Sequence, residues 1–143
     1  MATIQPIYGH QIVVKIGDGG NPETFAAPAL INTSRGVNFS TSAETDELMD
    51  VADPSAPAIT VRRIRANDTS IDGAGMVHKP DLEEWLEWAT TGVSKNVEVT
   101  IGGEGGPTVR GPFLLTSFQI SGERVKTVEV QVTLEQADKV TVV

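Results

Sequence analysis

The chain has 143 residues, enough for one domain and too few for two sizeable cores. Its net charge of −8 disfavours a protein that grips nucleic acid or an anionic membrane through basic residues. The absence of cysteine excludes disulfides, a thiol nucleophile and a thiolate metal site. No apolar run approaches the ~20 residues of a membrane helix, and residues 1–10 do not have the pattern of a secretory signal.

The first elements along the chain are predicted strands. Residues 11–16 are largely β-branched and are separated by a Gly-rich turn from residues 24–26, which predict a short return strand. Residues 33–42 alternate apolar and polar side chains, which is typical of a half-buried strand.

The next region is sharply segregated by charge. Residues 43–58 hold five acidic residues and no basic one, and we interpret them as a long inter-strand loop. Residues 59–65 have strand character with three arginines and no acid, and we expect residues 68–73 to be their hairpin partner across Ala66–Asn67. One interpretation is a plain hairpin with screened surface pairs. The other is a head-to-tail contact between subunits.

One helix is predicted. Its apolar residues recur at helical spacing and form one core-facing side: Leu82, Trp85, Leu86 and Ala89. Asp81 is the expected N-cap, with Glu84 completing a capping box, and Gly92 is placed to end the helix.

The rest of the chain is predicted as strands, so the fold class is mainly β. Residues 96–101 and 113–120 predict two strands, the second apolar enough to be central. In the last strand the residues of one face are expected to be buried: Val128, Val130, Val132 and Leu134.

No pattern typical of catalysis or cofactor binding is present. His10 and His78 lack partners at metal-ligand spacing, and the acidic residues lack the regular spacing of a calcium loop. The Gly-rich segment 102–107 is not followed by the Lys-Ser/Thr of a phosphate loop. We therefore expect no enzyme activity, catalytic residues, cofactor or metal.

The order of these features resembles the major tail tube proteins of long-tailed bacteriophages and gene transfer agents. The likeness runs over residues 11–136. It rests on the polar strand 33–40, a long loop entering residues 59–63, and the small-residue run 69–76 leading into the helix. It rests also on Gly111-Pro112-Phe113-Leu114-Leu115-Thr116-Ser117.

The resemblance implies a β-sandwich or barrel with one flanking helix, in a single domain spanning residues 1–143. It implies hexameric rings that stack into a hollow tube, each subunit contributing strands to an intersubunit β-barrel, with the 43–58 loop bridging subunits or rings. It implies a virion tail assembled in the host cytoplasm, DNA passing through without specific binding, and tape-measure, tail terminator and distal tail proteins as partners.

Site residues follow from this comparison. The expected subunit contacts are Glu44, Asp46, Glu47 and Asp50 against Arg62, Arg63 and Arg65, with Trp88 as a further contact because it lies off the centre of the helix face. The lumen candidates are the polar residues Asn38, Ser40, Ser42, Asp72, Glu98 and Glu129. An acidic wall would repel DNA phosphates. For each of these residues an outer solvated face is the alternative.

Other interpretations stay open. A tube protein of type VI secretion would share this architecture. A monomeric β-sandwich binding module would need an exposed aromatic platform, and the chain has seven aromatic residues with both tryptophans on the predicted helix. An enzyme with a carboxylate pair has no support in the sequence.

Overall fold

A computed structural model describes residues 3–20, 23–28, 31, 33–103 and 105–143. Over these ranges the chain forms eight strands of one sheet and one α-helix. The elements are β1 (Ile12–Gly17), β2 (Phe25–Ala26), β3 (Ser34–Leu48), β4 (Ile59–Met76), α1 (Lys79–Thr91), β5 (Lys95–Ile101), β6 (Thr108–Ser121), β7 (Glu129–Gln136) and β8 (Thr141–Val142). A short 3-10 turn, Gly9–Gln11, precedes β1.

The sheet is antiparallel and folds over on itself. Its strand order is β2-β1-β5-β6-β7-β4-β3, with β8 paired to β6. The long strand β6 serves both halves, because residues 108–113 pair with β5 and residues 113–121 pair with β7. The register shifts between Leu115 and Ser117, and a bulge of this kind bends a strand. Cα atoms of β1 and β3 come within 8 Å of each other. The mainly β fold with one helix is confirmed.

The core lies between the two halves of the sheet and under α1. Its largest fully buried side chains come from strands of both halves: Ile71, Val97, Val99, Phe113, Val130 and Leu134. The alternation predicted for the last strand is confirmed for its β7 members, since Val130, Val132 and Leu134 are all buried. Val128, just before β7, is exposed.

The helix begins two residues before the predicted N-cap. Its N-cap is His78, and Pro80 lies in the first turn, where its fixed φ suits a helix and its missing N–H is not needed. The expectation that Asp81 caps the helix is therefore wrong. Gly92 ends the helix as predicted, with φ +69° and its N–H bonded to the carbonyl of Trp88.

The helix face that meets the core is also rotated from the predicted one. Trp85 and Trp88 are buried, whereas Leu86 and Ala89 are exposed. Trp85 stacks on Phe118 of β6 with ring centroids 6.0 Å apart, and the Trp88 indole N–H donates to the carbonyl of Val93 at 2.7 Å. Two indoles one turn apart bury more apolar area than the Leu and Ala positions do.

The predicted loop 43–58 is shorter than expected, because residues 43–48 belong to β3 and only residues 49–58 connect the two strands. β3 runs without a break through Leu48, and β4 runs through Ala66–Asn67, which was expected to be a turn. The two strands pair along their length from Ser34↔Ala74 to Leu48↔Ile59. Ladder hydrogen bonds thus override the weak strand propensity of the acidic segment. The connection is residues 49–58, here named the tip loop.

Candidate assembly surfaces

One face of the sheet carries the polar residues that the sequence singled out. Four strands, β6 (residues 113–121), β7, β4 and β3, form a sheet whose one side meets the core. The other side, here named the polar face, carries hydroxyl, amide and carboxylate groups. Its members include Asn38, Ser40, Asp68, Ser70, Asp72, Ser117, Gln119, Glu129, Gln131, Thr133 and Glu135, as the cross-strand pairs show. Four of these are acidic and none is basic.

The lumen candidates separate into two groups. Asn38, Ser40, Asp72 and Glu129 share the polar face, and Ser42 continues the same side of β3. Glu98 does not join them. It lies on β5 in the other half of the sheet and accepts hydrogen bonds from Arg110, with an Nη2 to Oε2 distance of 2.9 Å. The sequence pattern alone cannot distinguish the outer sides of two sheet halves.

The four-stranded sheet has two open edges in the part of the chain that the structure describes. β3 is the last strand in the order, and it pairs only with β4. At the other side, residues 114–121 of β6 pair with β7 but lie beyond the reach of β5, whose pairing ends at Phe113. An open edge presents unpaired backbone N–H and C=O groups, which favour pairing with another chain.

Beyond the sheet, β3 and β4 continue as a two-stranded arm, defined by residues 40–48 and 59–68. Its side chains are exposed on both strands, except that Asp46 is half-buried. Eight residue steps along β3 give a projection of about 27 Å at ~3.4 Å per residue. An isolated two-stranded ribbon is at best marginally stable in water. The arm therefore has the character of a segment that is completed by contact with another molecule.

A bulge marks the base of the arm. Ser42 pairs with Ala66 while Ala43 pairs with Ile64, so Arg65 has no partner on β3. Because Arg65 is an extra residue, the alternation of β4 shifts by one at this point. In residues 59–64 the odd-numbered side chains lie on the side that even-numbered side chains occupy in the body. Exposed apolar residues then appear on both sides of the arm: Ile64 on one, and Leu48, Ile59 and Val61 on the other.

The acidic and basic residues of the arm lie side by side in one chain. Arg63 Nη2 bonds Asp46 Oδ2 at 3.0 Å, and Arg63 also lies directly opposite Glu44. Within the single subunit Asp46 and Arg63 thus form a pair inside the hairpin, which at this exposure contributes ~0–1 kcal/mol. Arg62 and Arg65 form no ion pair among the described residues.

Trp88 is not a surface contact. Its side chain is only 3% exposed, because it packs in the core beside Trp85 and beneath the ammonium group of Lys95. Burial of the indole in the folded subunit leaves it unable to meet a neighbour.

A cleft between α1 and the β1–β2 pair contains Asp18, a carboxyl group whose pKa is shifted. Backbone N–H groups of Gly20 and Thr24 donate to Asp18 and hold its pKa below the usual range. The shift belongs to a turn that this carboxylate stabilises. No three His, Asp or Glu side chains within the described ranges converge in a metal-binding arrangement. In those same ranges no helix is long and apolar enough to cross a membrane.

A folded-over sheet with a polar face, two open edges and a projecting hairpin is typical of the class of subunit that can pair its strands with those of other chains. The comparisons with known proteins give this class a family. The model of the family described as "Phage tail tube protein" matches residues 6–142. The chain therefore belongs to the phage tail tube protein family, and its role is that of a structural tail tube protein. No curated protein sequence matches it.

Several solved structures share the fold. The tail of an empty gene transfer agent particle, refined with C6 symmetry, is similar at a TM-score of 0.67 and 20% identity, covering 95% of this chain and 98% of that one. The SPP1 tail tube gives 0.61 at 13% identity, with coverage of 93% and 77%. The sheath/tube terminator of the extracellular contractile injection system PVC gives 0.64 at 18% identity, covering 99% of both chains.

Proposed function

We propose that the chain forms six-membered rings that stack into a hollow tail tube, with the polar face lining the bore and DNA passing along it. The observation that carries this proposal is the four-stranded sheet, which is buried on one side, acidic and polar on the other, and open at both edges. A closed ring of such sheets hides every edge and leaves one continuous polar surface inside.

Ring closure follows from pairing unlike edges. The free edge of β3 in one copy would pair with residues 114–121 of β6 in the next, which is a head-to-tail contact that closes on rotation. Six copies, the symmetry of the similar gene transfer agent tail, would contribute four strands each and so 24 strands. At ~4.8 Å spacing and ~40° tilt this barrel has a diameter of about 48 Å between opposite backbones.

The charge of the polar face suits passage rather than binding. Asp68, Asp72, Glu129 and Glu135 bring four negative charges per subunit to the face, and no basic residue there neutralises phosphate. Counterion release would therefore give the wall no affinity for DNA. Asn38, Ser40 and Ser42 add neutral polar groups on the same side of β3.

The arm would bridge to a neighbouring copy. The contact candidates are five charged residues of the arm and the tip loop that form no intrachain ion pair among the described residues: Glu44, Glu47, Asp50, Arg62 and Arg65. Tape-measure, tail terminator and distal tail proteins would meet the tube along its bore and at its two ends. Assembly of the tail would take place in the host cytoplasm.

A second candidate is the tube of a contractile injection machine. The PVC sheath-tube complex covers 96% of this chain at a TM-score of 0.62, close to the value for the SPP1 tail tube. Both candidates use the same ring and bore, and they differ in cargo. Genes beside the coding sequence distinguish them: capsid and terminase genes favour a DNA-ejecting tail, and their absence beside sheath genes favours the injection machine.

Assembly is tested by negative-stain electron microscopy of the purified chain at high concentration, with size-exclusion chromatography alongside. Hollow tubes or six-fold rings are expected. A persistent monomer whose arm is already protected from hydrogen exchange would contradict the proposal and favour the monomeric binding module.

The bore assignment is tested by reversing charge on the polar face. In tubes of the double variant Asp72→Lys, Glu129→Lys we expect salt-dependent binding of double-stranded DNA that wild-type tubes lack, because each subunit now presents two phosphate contacts. Fluorescence anisotropy of a short labelled duplex measures it. The matched control is Glu83→Lys, Glu87→Lys on the exposed side of α1, which adds the same charge outside the bore. Equal DNA binding by both variants would contradict the assignment of the polar face to the bore.

A further inference from the structure

The two ends of the four-stranded sheet differ in charge and share exposed apolar side chains. At one end is the tip loop, residues 49–58, with Asp50 and Asp53 and no basic residue. At the other end is the turn between β6 and β7, residues 122–128, here named the end turn. It carries Glu123, Arg124 and Lys126 and is thus net basic.

Each of these loops presents an apolar side chain to solvent. Val51 in the tip loop is 85% exposed, with Met49 beside it at 62%. Val125 in the end turn is 89% exposed. The end turn is held in shape by a backbone bond from Lys126 N–H to the Glu123 carbonyl and by a 3.2 Å ion pair between the same side chains. Both side chains of that pair are largely exposed, so Lys126 stays accessible, and Arg124 beside Val125 forms no ion pair among the described residues.

The tip loop is likewise held by hydrogen bonds to its own side chains. The Asp50 carboxylate accepts the Ala52 N–H at 2.9 Å, and the Asp53 carboxylate accepts the Ser55 hydroxyl at 2.7 Å. Neither carboxylate has a cationic partner among the described residues. The tip loop is therefore a projection held by its own hydrogen bonds, and its surface is acidic and partly apolar.

These two surfaces cannot meet within one molecule. β4 starts at Ile59 beside the tip loop and ends at Met76, whose cross-strand partner Glu129 follows the end turn. Its 18 residues separate the loops by about 55–60 Å at ~3.3 Å per residue. Complementary surfaces at opposite ends of one rigid element are satisfied only by another copy, and the resulting contact repeats without closing.

We infer that the tip loop of one copy docks on the end turn of a copy in the next ring, with Asp50 and Asp53 facing Arg124 and Lys126 and with Met49 and Val51 against Val125. This inference rests on the proposed ring-stacked tube and names the surface that receives the arm. The contact joins two different surfaces, so all rings would point the same way along the tube. Each ring would present its acidic tip loops at one end and its basic end turns at the other.

The experiment uses two charge-reversed chains. Variant A carries Asp50→Lys, Asp53→Lys, and variant B carries Arg124→Glu, Lys126→Glu. Each alone should form rings but lose at least ten-fold in pelletable tube mass, because like charges then face each other. Pre-formed rings of A and B, once mixed, should recover tubes, since the basic tip of A fits the acidic end turn of B and the two wild-type loops still fit each other.

Controls separate the inference from the proposed function. The double variant Lys79→Glu, Lys139→Glu makes the same charge change as B at exposed positions away from both loops and should form normal tubes. Circular dichroism and thermal melting confirm that A and B are folded. If wild type, A and B all form equal tubes, this inference fails while the tube proposal stands. If A and B rings stay apart on mixing, the docking pair is wrong. If wild type forms neither rings nor tubes, both proposals fail.

Discussion

The body of the molecule and its arm differ in the burial of their apolar side chains, although β3 and β4 run through both. In the body Ile71 of β4 is fully buried and Val37 opposite it packs against the core. In the arm, Ile64 on the same strand is 63% exposed. The body is thus stabilised by its own packing, whereas the apolar side chains of the arm are left exposed to water in the single subunit. The strands β3 and β4 therefore contribute to the core along one part of their length and form an exposed surface along the other.

The largest expected effect on the free energy of unfolding comes from breaking the body. Phe113 is fully buried on β6 where the two sheet halves meet, so Phe113→Ala should cost about 3–5 kcal/mol through lost burial and the cavity left behind. Urea denaturation of the monomer measures it. Ile64→Ala in the arm is the matched test and should stay within about 0.5 kcal/mol. Equal losses would mean that the arm is packed in the monomer.

A smaller effect is expected at the end of α1. Gly92 has φ +69°, where a Cβ is strained, so Gly92→Ala should cost about 1 kcal/mol. The control is Gly36→Ala, where φ is not positive and nothing lies within 4 Å of the added Cβ. That variant should not lose stability. A loss at Gly36 equal to the loss at Gly92 would show that backbone strain is not the cause.

The smallest effect on monomer stability should come from removing the arm beyond its base. Deleting residues 43–65 and joining Ser42 to Ala66 through Asn-Gly closes the hairpin with a favoured two-residue turn. We expect the melting temperature of the monomer to change by no more than a few degrees, while tubes disappear from micrographs. A large drop in melting temperature, or tubes of normal length, would contradict the division between body and arm.

The comparison also explains what the sequence could predict. The alternation of Val130, Val132 and Leu134 was sufficient to predict β7, because the opposing face of that strand is polar. The Ala66–Asn67 turn was wrong because the arm is solvated on both sides and has no burial alternation to mark a strand. The segment 43–48 was assigned to a loop on its acidic composition, yet it forms a ladder with residues 59–64.

The positions of the site residues could likewise be predicted only in part. Residue parity predicts that Asn38 and Ser40 share a side of β3. That Asp72 and Glu129 lie on the same face depends on the cross-strand register, and the position of Glu98 depends on where β6 bends. Trp88 was expected at the surface because it lies off the centre of the predicted helix face. The packing of Trp85 against Phe118 set a different rotation. Long-range packing, rather than local propensity, decided each of these cases.

The pairing of β3 with β4 beyond the bulge at Ser42 and Ala43 sets which side of the arm each residue faces. Side chains along a strand alternate, and residues 59–64 face the same sides as their β3 partners 43–48. Deletion of Arg65 alone would remove the bulge without changing these partners, so residues 59–64 would keep the sides that they face now. Loss of a matched pair from each arm strand would shorten the reach and keep every remaining side chain facing as before. Changes in arm length between tubes of different spacing are therefore constrained to even steps per strand, whereas the tip loop tolerates any number.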